Sequence, residues 1–269
     1  MSTTAFSFGG TGSTGSTALT TFGKVTLIDD YLSTPERRGN NQDIPFRHGR
    51  VFVQKFYDER VMTFGIAMVG ASAAALETSL NTLRALLAPL YQQTLSMVME
   101  DATTRAVSAS VDRAMDVDRV APHIAKVMIE FRLASPFWRL SSAIADNTTI
   151  IDASPHAMTV TNPGTVQERD PTITIDGPFS SITILNSTNG VSLTYTGAIG
   201  AAENVVIGTL NGEFYATLSA GSANVIGNVT HSGSTALMVF EVGANTLAIT
   251  SAGGDNTGTV KASFSAPFL

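Results

Sequence analysis

The chain contains no cysteine. Disulfides, thiolate nucleophiles and Cys-ligated metals are excluded together. Charge is scarce as well: 14% of residues are Asp, Glu, Lys or Arg, against a usual ~25%. Coiled coils and disordered chains both depend on abundant charge, so neither class fits. Cations are the scarcer sign. Sixteen Lys and Arg against 22 Asp and Glu leave a formal charge of −6, which argues against a dedicated nucleic-acid binder. Long apolar runs are missing too. The best, Val61 to Leu76, is interrupted by Gly, Thr and Ser and falls short of the ~18 residues that suggest a membrane span. No basic, apolar leader opens the sequence, so no targeting segment is expected.

What is present is a core. Of 269 residues, 43% are hydrophobic, enough for one large domain or two ordinary ones. The charges divide the chain. Residues 1–150 hold 14 Lys and Arg and 14 Asp and Glu, while residues 151–269 hold 2 and 8. The whole net charge lies in the second part, which predicts two domains with different surfaces. Residues 1–22, rich in Ser, Thr and Gly, read as a flexible or extended arm in which Phe6 and Phe8 are able to add a strand to a neighbour. Residues 23–145 read as a β domain with one helix, 146–162 as a linker with turn chemistry, and 163–269 as a β-sandwich.

Periodicity supplies the elements. Arg50 to Phe56 and Val61 to Val69 favour strands, and the polar Tyr57 to Arg60 between them predicts a hairpin. Met62, Phe64, Ile66 and Met68 alternate, so they share a sheet face. Ser72 is a plausible N-cap. Leu76, Leu80, Leu83 and Leu87 then form one helical stripe that Pro89 stops. Alternation resumes in Leu95, Met97 and Met99, in Val107, Ala109 and Val111, and from Val127 to Leu133. After residue 163 only strand patterns occur, such as Ile173 and Ile175, Ile182 and Ile184, Leu247 and Ile249. Asp176-Gly177-Pro178, Asn189-Gly190 and Asn211-Gly212 punctuate them at the spacing of a sandwich. The fold class is therefore mainly β with one clear helix.

No chemistry-bearing constellation emerges. Gly10-Thr11-Gly12-Ser13-Thr14-Gly15 matches the dinucleotide pattern in letters, but it lacks the strand before and the helix after that the fingerprint requires. His48, His123, His156 and His231 never fall at metal-ligand spacing. Asp112, Asp116 and Asp118 cluster with Arg113 and Arg119. Counted from Asp112, the sixth and twelfth positions of a calcium loop are Val117 and His123 rather than Gly and Glu. These side chains read as a solvated, self-neutralising loop. Asn147, Asn186 and Asn228 begin glycosylation sequons of the kind a Ser/Thr-rich chain produces by chance. For a sugar site, the sandwich offers Phe179, Tyr195, Phe214, Tyr215 and Phe240, because the single Trp138 precedes it. Alternating aromatics usually pack in a core. No catalytic, cofactor-binding or metal-ligating residue is assigned, and no cofactor is expected.

The order of features resembles the distal tail proteins of long-tailed (siphovirus-type) bacteriophages. Asp43-Ile44-Pro45-Phe46-Arg47-His48-Gly49-Arg50 looks like that family's opening before its first long hairpin. The apolar strand Val61 to Val69, the single Leu-striped helix, and Lys126 to Leu133 running into Ser135-Pro136-Phe137-Trp138-Arg139 follow in the family's order. Asn162-Pro163-Gly164-Thr165 with Asp170 to Gly177 resembles the first strand of its sandwich. Glu241 to Leu247 resembles a late turn, usually Pro-Gly-x-Asn, with Val242 in place of the Pro.

The resemblance implies an N-terminal antiparallel β-barrel-like domain that forms a ring and a galectin-like β-sandwich that projects from it. It implies a structural, non-enzymatic virion protein: a homo-hexameric hub at the distal end of the tail, made in the host cytoplasm. Its partners would be the tail tube protein, the tape-measure protein and tail-tip or receptor-binding proteins, with no membrane and no specific nucleic acid. Two alternatives stay open at this stage: a carbohydrate-binding tail-tip adhesin, and a hydrolase whose site the sequence does not reveal.

Overall fold

The computed structural model describes residues 5–9, 16–29, 33–39, 41–43, 48, 50–53, 55–113, 115–133, 135–144, 147–150, 155–210, 212–233, 236–253 and 258–269. The chain folds as two compact units, residues 1–141 with Leu269, and residues 142–268.

The first unit is built on one antiparallel sheet. Its strands run in the spatial order Thr17–Ala18, Ala5–Phe8, Gln93–Val98, Thr104–Val111, Ile124–Leu133, Arg60–Val69 and Lys24–Asp29. Asp116–Ala121 extends the pairing along Ile124–Leu133, and Trp138–Leu140 pairs with Thr104–Val111. Thr17–Ala18 and Lys24–Asp29 lie at opposite edges, yet only residues 19–23 separate them in the chain. A flat sheet would hold these edges roughly 29 Å apart across six inter-strand gaps. The connection reaches at most about 22 Å even when fully extended. The sheet must therefore curl, as expected for a barrel-like domain. Gly23 sits at the closing point, where a Cβ would lie within 2.3 Å of the Ala67 carbonyl oxygen.

The interior of the curl is apolar. Met62, Phe64, Ile66 and Met68 are buried on one strand, and Val127, Ile129, Phe131 and Leu133 on its neighbour. Each such side chain contributes about 1.5–3 kcal/mol through burial. The helix Ala73–Leu87 adds Leu76, Leu80, Leu83 and Leu87 to the buried set. Its first turn is capped as expected: Ser72 Oγ accepts a hydrogen bond from the Ala75 amide at 3.1 Å.

Three expectations change. The arm of residues 1–22 is not a free segment in its described part, because Ala5–Phe8 pairs in register with Gln93–Val98. Phe6 and Phe8 are buried, with Phe6 edge-on to Phe64 at 4.9 Å and Phe8 against Phe131 at 4.7 Å. The neighbour that receives this strand is the chain's own sheet; two phenylalanines at i and i+2 outweigh the polar composition around them. Gly10 to Gly15 lie outside the described residues. The hairpin expected between Arg50–Phe56 and Val61–Val69 is also replaced. Arg50–Val51 pairs with Gln42–Asp43, and Phe56–Tyr57 with Arg37–Arg38. Both partners precede the run, so the described residues between 33 and 59 form a ribbon folded on itself. Its fixed end is tied by the buried Arg60, whose guanidinium donates to the Ser33 carbonyl, and by Asp58 N donating to Glu36 O at 2.8 Å. Of the resemblance's opening segment, Ile44 to Arg47 and Gly49 lie outside the described residues.

The third change concerns residues 146–162, read as a linker. They contain the strands Asn147–Ile150 and His156–Asn162, and the boundary between units falls at Ser141 and Ser142. Met158, Val160 and Asn162 alternate into the core, a pattern masked in the sequence by the interleaved threonines.

The second unit holds two antiparallel sheets. One has the order Asn147–Ile150, Thr259–Ser263, Thr172–Asp176, Asn204–Leu210, Glu213–Leu218 and Ala223–Asn224. The other runs His156–Asn162, Gly243–Ala252, Phe179–Asn186, Val191–Ile199 and Val229–His231. Each buries one face: Ile173, Ile175, Val205 and Ile207 in the first, Ile182, Ile184, Leu193 and Leu247 in the second. Two sheets with one apolar face each make a sandwich. Asn189-Gly190 turns a hairpin as read, with Gly190 at φ 76°, a conformation that favours glycine. No helix among the described residues is long and apolar enough to cross a membrane.

Candidate functional site

The acidic cluster of the first unit resolves into ion pairs. Arg132 donates to Asp112 through Nε and Nη2 at 2.7 and 2.8 Å, a two-pronged fork, and its Nη1 reaches Glu59 at 2.6 Å. The hydrogen bond from Arg132 holds the Asp112 carboxyl below its ordinary range, and Asp112 in turn raises the guanidinium value. Arg113 sits 3.7 Å from Glu130, and Arg119 pairs with Glu77 on the helix at 2.8 Å. Asp116 and Asp118 lie opposite Met128 and Lys126. An open depression of about 550 Å³ between Arg113, Asp116, Met128 and Glu130 is lined by these groups. The arrangement is self-neutralising, and no three His, Asp or Glu side chains among the described residues are grouped to hold a metal.

The histidines are dispersed. His48 is exposed, and His123 lies in a turn where its carbonyl accepts from Gly70 N at 2.9 Å. His156 pairs across from Ile249 and His231 from Leu193. Of the sequon asparagines, Asn186 is fully buried and Asn228 is exposed. Of the aromatics offered for a sugar site, Phe179, Tyr195 and Phe240 belong to the core, as does Trp138 to the buried set of the first unit. Phe214 is 37% exposed and packs edge-on to His231, and Tyr215 is partly exposed.

Two features escape a reading by periodicity. The first is a set of buried asparagines that pins the segment Val239–Gly243. Asn245 donates to Glu241 O at 2.8 Å and Gly243 O at 3.1 Å, and accepts from Glu241 N at 2.9 Å. Asn186 donates to Val239 O at 2.8 Å and to Asn245 Oδ1 at 3.1 Å. Asn162 donates to Phe240 O at 3.2 Å and accepts from Gly164 N at 2.9 Å. Asn186 and Asn189 likewise accept from the amide two residues on, at 3.1 Å each. This Asx turn is the available signal: Asn162 and Asn186 close strands before Pro and Ser, and Asn189 sits in the turn before Gly190. The asparagine of the late turn is thus structural.

The second feature is the placement of exposed apolar side chains. Val69 pairs with Ile124 at one end of the sheet of the first unit, and Val120 lies in Asp116–Ala121, a strand that also pairs with Ile124–Leu133 at that end. These two are 69% and 58% exposed. Arg60 pairs with Leu133 at the other end, and Ala109, opposite both Leu133 and Gln93, puts Leu90 and Tyr91 there as well. Leu90 is fully exposed and Tyr91 is 66% exposed; the ribbon adds Phe52 and Phe56. Water-exposed apolar groups thus stand at two opposite ends of the sheet, where they suit protein contact.

Residues 18–133 match the model of the phage tail protein RIFT-related domain. No curated protein matches the chain. Among solved structures, the SPP1 Dit protein (gp 19.1), described as a paradigm of the hub adsorption apparatus in phages infecting Gram-positive bacteria, is similar over 99% of both chains. The identity is 13% and the TM-score 0.70. A chain of the phage p2 baseplate in its activated conformation with strontium is similar over 99% of both chains at 10% identity and a TM-score of 0.47. Residues 18–133 of the first unit thus match a phage tail protein domain, and the chain has the fold of the SPP1 Dit protein.

Proposed function

We propose that the protein is a structural, non-enzymatic ring hub at the distal end of the tail, joining the tail tube to the tip or baseplate. The observation that carries this reading is the shared fold over 99% of both chains with a phage hub protein, together with the tail domain of residues 18–133. The first unit builds the ring as a homo-hexamer, and the sandwich lies outside it. Closed rings use heterologous contacts, in which one surface of a subunit meets a different surface of the next. The two apolar ends of the sheet, Val69 and Val120 at one and Leu90 and Tyr91 at the other, supply two such surfaces. The ribbon adds the exposed Phe52 and Phe56. Tail tube, tape-measure and tail-tip or receptor-binding proteins are the neighbours this position requires.

Light scattering on the full chain tests the reading. Six copies of 28.2 kDa give about 169 kDa. A monomer at micromolar concentration that also fails to close in the presence of the tube protein would sink it.

A further inference from the structure

The sandwich carries an outward sheet face that the assembly role leaves unused. In the six-stranded sheet Ile207 and Ala216 point inward and are buried, so Gly208 and Tyr215, which pair directly across two strands, face out. A Cβ on Gly208 would lie 2.9–3.1 Å from the Tyr215 hydroxyl oxygen and ring carbons. The tyrosine ring therefore lies against the bare glycine, and the side chain remains partly exposed. The next outward row is Thr217, Val206, Thr174 and Lys261, paired in that order across four strands. Leu210, 66% exposed, continues the Gly208 side of the strand.

We propose that this face, centred on Tyr215, binds a short oligosaccharide. A pyranose has apolar C–H faces and a rim of hydroxyls. The flat phenol ring suits the first, and threonine hydroxyls and the Lys261 ammonium suit the second. From the strand of Tyr215 to that of Lys261 is three inter-strand gaps, about 14 Å, the length of a few linked sugars. The backbone groups beneath are already paired in the sheet, so the face offers no edge for an added peptide strand. The inference concerns the sandwich alone and does not depend on ring closure.

Saturation-transfer NMR on the full chain tests it, with maltotriose, triacetylchitotriose and globotriose as probes at millimolar concentration. At least one probe is expected to receive saturation. Tyr215→Phe should keep this binding, and Tyr215→Ala should weaken it about tenfold. Thr174→Lys blocks the face without touching the Tyr215–Gly208 pair, so it should also lose binding while the unfolding midpoint stays close to that of the parent. The proposal is overturned if no probe binds. It is equally overturned if a folded Tyr215→Ala or Thr174→Lys chain binds as the parent does.

Discussion

At the scale of single residues, the stability of the sandwich depends on asparagines. Asn245 satisfies both the amide and the carbonyl of Glu241 from a fully buried position. Asn245→Ala leaves these groups without partners and should cost about 3 kcal/mol in urea unfolding. Asn245→Asp should be no better, because a carboxylate cannot donate to the Glu241 and Gly243 carbonyls. The Arg132–Asp112 fork carries a different signature. Its carboxyl value is depressed in the folded state, so its contribution is present above the ordinary carboxylate range and disappears as the pH falls through the folded value. The stability difference between the parent and Asp112→Asn should therefore shrink as the pH falls below the ordinary carboxylate value of about 4. A difference that grows on acidification would contradict the fork's role.

At the scale of elements, the helix was readable because its signals agree. The Ser72 cap, the leucine stripe and the stop at Pro89 all specify Ala73–Leu87. Ser72→Ala should cost about 1 kcal/mol and Ser72→Gly only a few tenths, measured by chemical denaturation. The first strand was less readable. Its four residues sit in a Ser/Thr/Gly segment, and what fixes them is a partner strand, Gln93–Val98, far along the chain. Phe6→Ala should cost about 3–5 kcal/mol, a loss that no free arm would show. The ribbon formed by the described residues between 33 and 59 is hidden in the sequence for a related reason. Arg50–Val51 and Phe56–Tyr57 are β-favouring in composition, but composition does not say whether a strand pairs forward or backward. The Tyr215–Gly208 pair is invisible for the same cause: the two residues meet only through cross-strand register.

At the scale of the whole molecule, the charge division has a consequence for assembly. Residues 1–150 are balanced at 14 cations and 14 anions, while residues 151–269 hold 2 and 8. Six balanced domains pack around an axis without accumulating like charge, whereas six sandwiches within a Debye length of ~8 Å would repel. Residues 1–141 alone should therefore sediment as the ring, and residues 142–269 as a monomer. The opposite outcome would reverse the roles of the two units. The two-unit plan was legible from this charge shift, but the boundary was not. The strands Asn147–Ile150 and His156–Asn162 are half threonine and asparagine, the residues that also build turns.

The curl of the first sheet also sets a timetable for synthesis. Ala5 leaves the ribosome before its register partner Val98, which follows about ninety residues later. At roughly 5–20 residues per second, that delay lasts roughly 5–20 s. Throughout it, Phe6 and Phe8 have no sheet to enter, and the nascent chain displays them to whatever binds apolar segments. Translation itself thus opens a window for aggregation through this strand, which closes only when Gln93–Val98 has been made.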